Sequence, residues 1–152
     1  YTKKNLNLCI QIYRYSFRNI YLKPEIKKLL ENLYKNKNLY LVTDGNKIVQ
    51  RHKIKLLKIK KYFKKLFITH NYGIKHSKPS IYCFKKICDF ENISFKNITY
   101  IGDDPSKDFV NLNKKKSLTI RLLYGRCKNI KAKKKFDAMI KIKTLNKLIN
   151  YL

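Results

Sequence analysis

Acidic side chains are scarce in this chain: nine Asp and Glu stand against 37 Lys and Arg, giving a formal charge of +28. Wherever carboxylates gather, their position is therefore informative. Long apolar runs are missing as well; no stretch of about eighteen uncharged apolar residues occurs, so no transmembrane helix and no membrane partner is expected. No short apolar core followed by small residues opens the chain, so no signal peptide is expected and a cytoplasmic location is. The four cysteines, Cys9, Cys83, Cys88 and Cys127, show neither Cys-x-x-Cys spacing nor histidines at zinc intervals. That argues against a structural zinc and a redox pair, and leaves reduced thiols as the expectation. Arginine is scarce beside lysine, whereas readers of nucleic-acid bases favour arginine for its bidentate fork. Lys, Asn, Ile and Tyr share AT-rich codons, so compositional bias accounts for the charge without a specific nucleic-acid partner. Runs such as Lys114-Lys115-Lys116 and Lys131-Ala132-Lys133-Lys134-Lys135 read as solvated loops or helix faces.

What is present describes a folded domain. A length of 152 residues with 44% hydrophobic and 13% aromatic content is enough to bury a core. Short apolar runs alternate with helical segments at the spacing of βα units, which predicts an α/β fold with a mostly parallel sheet flanked by helices. The pattern predicts a helix over 5–20 and a second from Pro24 to about Lys35. A strand over 39–43 precedes a helix over 47–58, and a strand over 66–69 precedes a helix opened by Pro79 and Ser80 that runs to about Phe90. A strand over 98–101, a helix after Pro105 and a strand over 117–122 complete the main pattern. An edge strand at 138–140 and a closing helix over 143–152, with Leu145, Leu148 and Ile149 inward, are expected last.

Three of the nine acids, Asp103, Asp104 and Asp108, fall within six positions, directly after the apolar strand Asn97-Ile98-Thr99-Tyr100-Ile101 and Gly102. Crowded carboxylates raise one another's pKa unless a cation or donor neutralises them, so the cluster suggests a metal site. Ligands of open α/β sheets bind at the carboxyl ends of strands, and this cluster lies at one. Two other strand ends carry suitable groups. Thr43 ends the first strand and is followed by Asp44 and Gly45, where a hydroxyl and open backbone N–H groups can face an anion. Lys78 lies after the second strand, where an ammonium can neutralise a carboxylate or a phosphoryl oxygen. The separations between the three groups each equal about one βα unit, so they are expected at one edge of the sheet. His52, His70 and His76 have no acid nearby in sequence and are expected to be surface or structural.

Over roughly residues 39–122 the chain resembles the haloacid dehalogenase-like (HAD) hydrolase superfamily, most of whose members are Mg2+-dependent phosphatases. Leu41-Val42-Thr43-Asp44-Gly45, with Gln50 and Lys53 downstream, resembles the motif whose Thr or Ser bonds the transferring phosphoryl group. Lys78-Pro79-Ser80-Ile81-Tyr82-Cys83-Phe84 resembles the motif whose Lys steadies the charge of nucleophile and phosphate. Gly102-Asp103-Asp104-Pro105-Ser106-Lys107-Asp108-Phe109 resembles the metal motif. The resemblance implies a catalytic and phosphate-binding set of Thr43, Asp44, Gly45 and Lys78, with Thr43 and Lys78 taking part in the chemistry. It further implies Mg2+ organised by Asp103 as ligand with Asp108 in support, Asp104 being a turn acid, and a small phosphorylated metabolite as substrate. It also implies a Rossmann-like core over 23–152 and a remnant of a helical cap over 1–22.

The family's first motif, a strand ending in Asp-x-Asp that supplies the nucleophile and the general acid and base, has no counterpart, because no Asp-x-Asp occurs. In the family that strand lies centrally, between those carrying the Thr and the metal motifs, so its absence is expected to leave two strand edges unpaired. With a first residue of Tyr1 and not Met, the simplest account is a start internal to a longer protein, and a chain inactive without the missing strand. Two other functions stay open: a non-catalytic phosphate-binding protein that lost its nucleophile, and a basic nucleic-acid binder. The sequence specifies no oligomeric state.

Overall fold

A computed structural model describes residues 2–16 and 20–152. The chain divides into two compact units, residues 1–72 and 73–152.

The first unit holds α1 (Lys3–Tyr15), α2 (Pro24–Asn36), β1 (Tyr40–Thr43), α3 (Lys47–Leu57) and β2 (Lys65–Ile68). The Thr2 hydroxyl caps α1 by accepting the Asn5 N–H at 3.3 Å. The helix expected over 5–20 thus starts earlier, and its portion at 17–19 lies outside the described residues. Pro24 opens α2, where its missing N–H costs no helix hydrogen bond. β1 and β2 run parallel, with Tyr40 opposite Lys65 and Thr43 opposite Ile68, and α3 makes the crossover between them. Ile54, Ile59, Tyr62 and Ile68 form the core, with Leu30, Leu41, Leu57 and Leu66 packed against it. α1 packs on α3 through Tyr15, whose ring meets His52 edge-on at 5.7 Å, yet no residue of α1 is buried. Leu6, Leu8, Ile12, Tyr13 and Tyr15 are each more than half exposed.

The second unit holds α4 (Tyr82–Glu91), β3 (Thr99–Gly102), α5 (Val110–Lys114), β4 (Leu118–Leu122) and β5 (Ile140–Ile142). Its sheet is parallel throughout, in the order β3-β4-β5. Phe84, Ile87, Phe109, Leu112, Ile120, Ile142 and Leu148 are all buried. Several boundaries differ from the sequence pattern. α4 starts at Tyr82 and not at Pro79, because the Ser80 hydroxyl accepts the Tyr82 N–H in a local turn. The edge strand lies at Ile140–Ile142, two residues late, because side chains take the preceding amides: Asp137 accepts from Ala138, and the Thr119 hydroxyl from Met139. The closing helix is a 3-10 helix, Leu145–Tyr151. Three residues per turn align Leu145 with Leu148, which is buried, and turn Ile149 outward to 55% exposure.

Within its own sheet β1 pairs only with β2, and β3 only with β4, so each has one edge without a strand partner among the described residues. Both strands are partly exposed along their whole length. Thr43 closes β1, and Asp103 and Asp108 follow β3. No described helix is long and apolar enough to cross a membrane. All four cysteines are free, Cys9 exposed and the others buried.

Candidate functional site

In the second unit the metal motif and the lysine motif meet at Asp108. β3 delivers Gly102 to the strand end, and the Asp104 side chain shapes the turn that follows. Its Oδ1 accepts the Ser106 N–H at 3.0 Å and the Ser106 hydroxyl at 2.6 Å, and its Oδ2 lies 3.7 Å from Lys107. Burial works to raise the Asp104 pKa, but these bonds and the Lys107 charge hold it below the ordinary range. The turn carries the chain back so that Asp108, 4% exposed, faces the strand it left. Asp108 Oδ2 accepts the backbone N–H groups of Asp103 at 3.1 Å and Asp104 at 2.9 Å. Its Oδ1 accepts the Lys78 ammonium at 2.7 Å and the Tyr100 hydroxyl at 3.3 Å.

Gly102 is needed for this closure on space alone, since a Cβ there would lie 2.5 Å from Asp108 Oδ2 and 2.9 Å from its Cγ. Lys78 also donates to the Tyr100 hydroxyl at 3.1 Å. Burial would lower the Lys78 pKa, but Tyr100 and Asp108 more than reverse this and hold the ammonium above the ordinary lysine range. The loop bearing Lys78 is braced on both sides. His76 stacks on Tyr82 with centroids 3.9 Å apart, and Asn111 of α5 donates to the Pro79 carbonyl at 2.9 Å. Asp103 itself is exposed, and its carboxylate has no hydrogen-bond or ion-pair partner among the described residues.

In the first unit, Thr43, Asp44 and Gly45 follow the end of β1. Thr43 donates its hydroxyl proton to Gln50 Oε1 at 2.9 Å. Asp44 accepts from the Thr69 hydroxyl at 2.8 Å, which ties the ends of β1 and β2 together. Its carboxylate would repel an anion, so the backbone N–H is what Asp44 can offer a phosphate. Gly45 has φ of +120°, a conformation open to glycine, and a Cβ there would come within 3.1 Å of Gln50 Nε2. Asn46 then caps α3, its Oδ1 accepting from Ile48 and Val49.

A family model described as haloacid dehalogenase-like hydrolase matches residues 1–117. The chain belongs to this family. Solved HAD structures share its fold. A 2-haloacid dehalogenase from Pseudomonas syringae has a TM-score of 0.75 at 19% identity, over 99% of this chain and 63% of that one. A HAD hydrolase from Bacillus subtilis bound to magnesium has a TM-score of 0.71 at 20% identity, over 83% and 54% of the two chains. A HAD phosphatase from Thermococcus onnurineus has a TM-score of 0.70 at 22% identity, over 86% and 57%. The HAD chain described here thus spans 54% to 63% of the length of these structures. No curated protein matches its sequence.

Against the HAD pattern the carboxylates divide by availability. Asp108, expected beside Asp103 at the metal, has both oxygens filled by four protein donors, so its part is to hold the Asp103–Asp104 backbone rather than to offer an oxygen. Asp103 is open. No group of three or more His, Cys, Asp or Glu able to hold a metal occurs among the described residues. One exposed carboxylate at a strand end suits Mg2+, which keeps several waters and takes one or two carboxylates plus substrate oxygens. Its one pair of acids a single residue apart, Asp89 and Glu91, lies within α4 and not at a strand end, so it does not replace the HAD first motif. The residue that sequence reasoning overlooked is Tyr100. Strand alternation places it on the same face as Gly102, and that signal was present.

Proposed function

We propose that this chain is part of a Mg2+-dependent phosphatase that hydrolyses small phosphomonoesters. The observation that carries the reading is the Lys78–Asp108 pair at 2.7 Å, bonded to the same turn that presents the unpartnered Asp103 carboxylate. An ammonium and a carboxylate open to a cation on one frame suit a dianionic phosphoryl group, whose charge needs neutralising from more than one side. A 2-haloacid also offers an anionic carboxylate to Lys78, but it carries one charge where a phosphate ester carries two, so the Asp103 carboxylate open to a cation is what favours a phosphate ester.

In this reading Lys78 neutralises charge on the phosphoryl oxygens. The family motif that Thr43 matches assigns its hydroxyl to a phosphoryl oxygen. A hydroxyl has a single proton, so Thr43 has to release Gln50 to do this, and the Gln50 side-chain amide can turn and donate to Thr43 in exchange. The Gly45 N–H adds a backbone donor. Asp103 would hold Mg2+, which when bound supplies the positive charge that lets a carboxylate and a phosphate approach each other. The nucleophilic carboxylate belongs to an Asp-x-Asp strand that these 152 residues do not contain. The open edge of β1 or β3 would accept that strand.

The test is substrate choice, measured on the complete gene product. Release of phosphate from p-nitrophenyl phosphate, with no halide release from 2-chloropropionate, is expected. The reverse pattern would replace the phosphatase reading by a dehalogenase one, and no turnover of either would favour a non-catalytic phosphate binder.

A further inference from the structure

We propose that Tyr100 is a positioning residue of this site: its hydroxyl, bonded to both Lys78 and Asp108, fixes where the Lys78 ammonium stands. The inference rests on the phosphatase reading of Lys78 and deepens it.

An ammonium is a compact charge on a flexible four-carbon stem with rotatable donors, so a single contact to a carboxylate does not set its direction. Here there are two. Lys78 Nζ donates to Asp108 Oδ1 at 2.7 Å and to the Tyr100 hydroxyl at 3.1 Å. The phenol donates a hydrogen bond to the same Asp108 oxygen at 3.3 Å, which closes a triangle of hydrogen bonds. Every donor and acceptor in the triangle is consistent with an ionised lysine, an ionised aspartate and a protonated tyrosine. Burial, the largest influence on Tyr100, pushes its pKa above the ordinary range against the pull of the Lys78 ammonium, so the phenol keeps its proton.

The phenol in turn is fixed by packing. Its ring meets Phe84 edge-on with centroids 5.0 Å apart at 86°, and lies 6.2 Å from Phe109, both buried side chains of the second unit. Tyr100 and Gly102 share a face of β3, so the hydroxyl reaches the carboxylate whose other oxygen lies against Gly102. Position thus passes from a rigid aromatic pair to the hydroxyl and from the hydroxyl to the ammonium. A phenylalanine would fill the same ring space and keep both ring contacts. What packing leaves unexplained is the hydroxyl, a group that is costly to bury unless bonded, and it is bonded to the two charged members of the site.

The experiment compares wild type with Tyr100→Phe in the complete gene product, by steady-state hydrolysis of p-nitrophenyl phosphate and by a proton–nitrogen spectrum of the lysine ammonium groups. The Lys78 signal is assigned by its loss in Lys78→Gln. Because the ring stays, the melting temperature is expected within about 3 °C of wild type. The variant is expected to lose the protected Lys78 signal to solvent exchange and to drop kcat about tenfold with KM within about twofold. Retention of the signal, with or without a change in kcat, overturns the proposal, and so does loss of the signal with kcat unchanged. Should wild type show no Mg2+-dependent turnover, the phosphatase reading fails, and the ammonium signal alone still decides whether Tyr100 positions Lys78.

Discussion

At the scale of single residues, the site depends on a carboxylate enclosed by donors. Asp108 has an almost fully buried side chain and receives two backbone N–H groups, an ammonium and a phenol, so protein donors offset its charge. Removing that charge leaves the Lys78 ammonium, itself 11% exposed, beside an unpaired dipole. Asp108→Asn is therefore expected to destabilise the protein by about 3 kcal/mol in urea unfolding. An effect below about 0.5 kcal/mol would show that the pair is solvated and contributes nothing. Gly102→Ala attacks the same closure sterically, since its Cβ falls 2.5 Å from Asp108 Oδ2; the same melts should show a loss of about 1–3 kcal/mol. The meeting of Lys78 with the turn that carries Asp103 and Asp108 was legible because motif spacing placed the two segments after successive strands. The hydrogen-bond saturation of Asp108 was not, because which oxygen faces which donor depends on the path of the turn that Asp104 and Ser106 form.

At the scale of elements, strands were the most legible part of the chain. Their apolar, β-branched runs are short and bounded, and β1 to β4 lie within a residue of expectation. Helix ends were less legible, because they answer to local hydrogen bonds. Ser80 delays α4, and the final segment tightens into a 3-10 helix. The segment between β4 and β5 lacks a periodic pattern and is organised instead by Arg121, 1% exposed, which no periodicity reveals. Arg121 Nη1 donates to both oxygens of Asp137 at 3.1 Å, and Nη2 donates to the carbonyls of Cys127 and Ile130 at 2.8 Å each. Lys141 adds a bond to Asp137 at 2.7 Å. Burial works to raise the Asp137 pKa, yet the bonds from Lys141, Arg121 and the Ala138 N–H hold it below the ordinary range. A depressed carboxylate contributes stability that is full above its unfolded pKa of about 4 and is lost as pH falls through the folded value. Urea melts from neutral pH down to about pH 2 should therefore show an acid-side loss of stability that is smaller in Asp137→Asn. An unchanged acid limb in that variant would assign the loss to other carboxylates.

At the scale of the whole molecule, the charge of +28 and the fold are separate matters. Net charge governs solubility and nonspecific attraction to polyanions, and the fold follows the apolar pattern beneath it. The lysines obscured the function, since Lys78 is chemically one of many and only its place after β2, beside Pro79, distinguishes it. The scarcity of acids had the opposite effect and made Asp103, Asp104 and Asp108 conspicuous. β1 in the first unit and β3 in the second each keep one edge without a strand partner among the described residues. The central claim is that Asp103 holds Mg2+ in a phosphatase, and it is tested most directly by one comparison. Mg2+-dependent hydrolysis of p-nitrophenyl phosphate is measured for the complete gene product, in wild type and in Asp103→Asn. The account predicts turnover that disappears with a chelator and returns with Mg2+, and a loss of about 100-fold or more in the variant with an unchanged melting temperature. Turnover that persists in Asp103→Asn, or that needs no divalent cation, would contradict it.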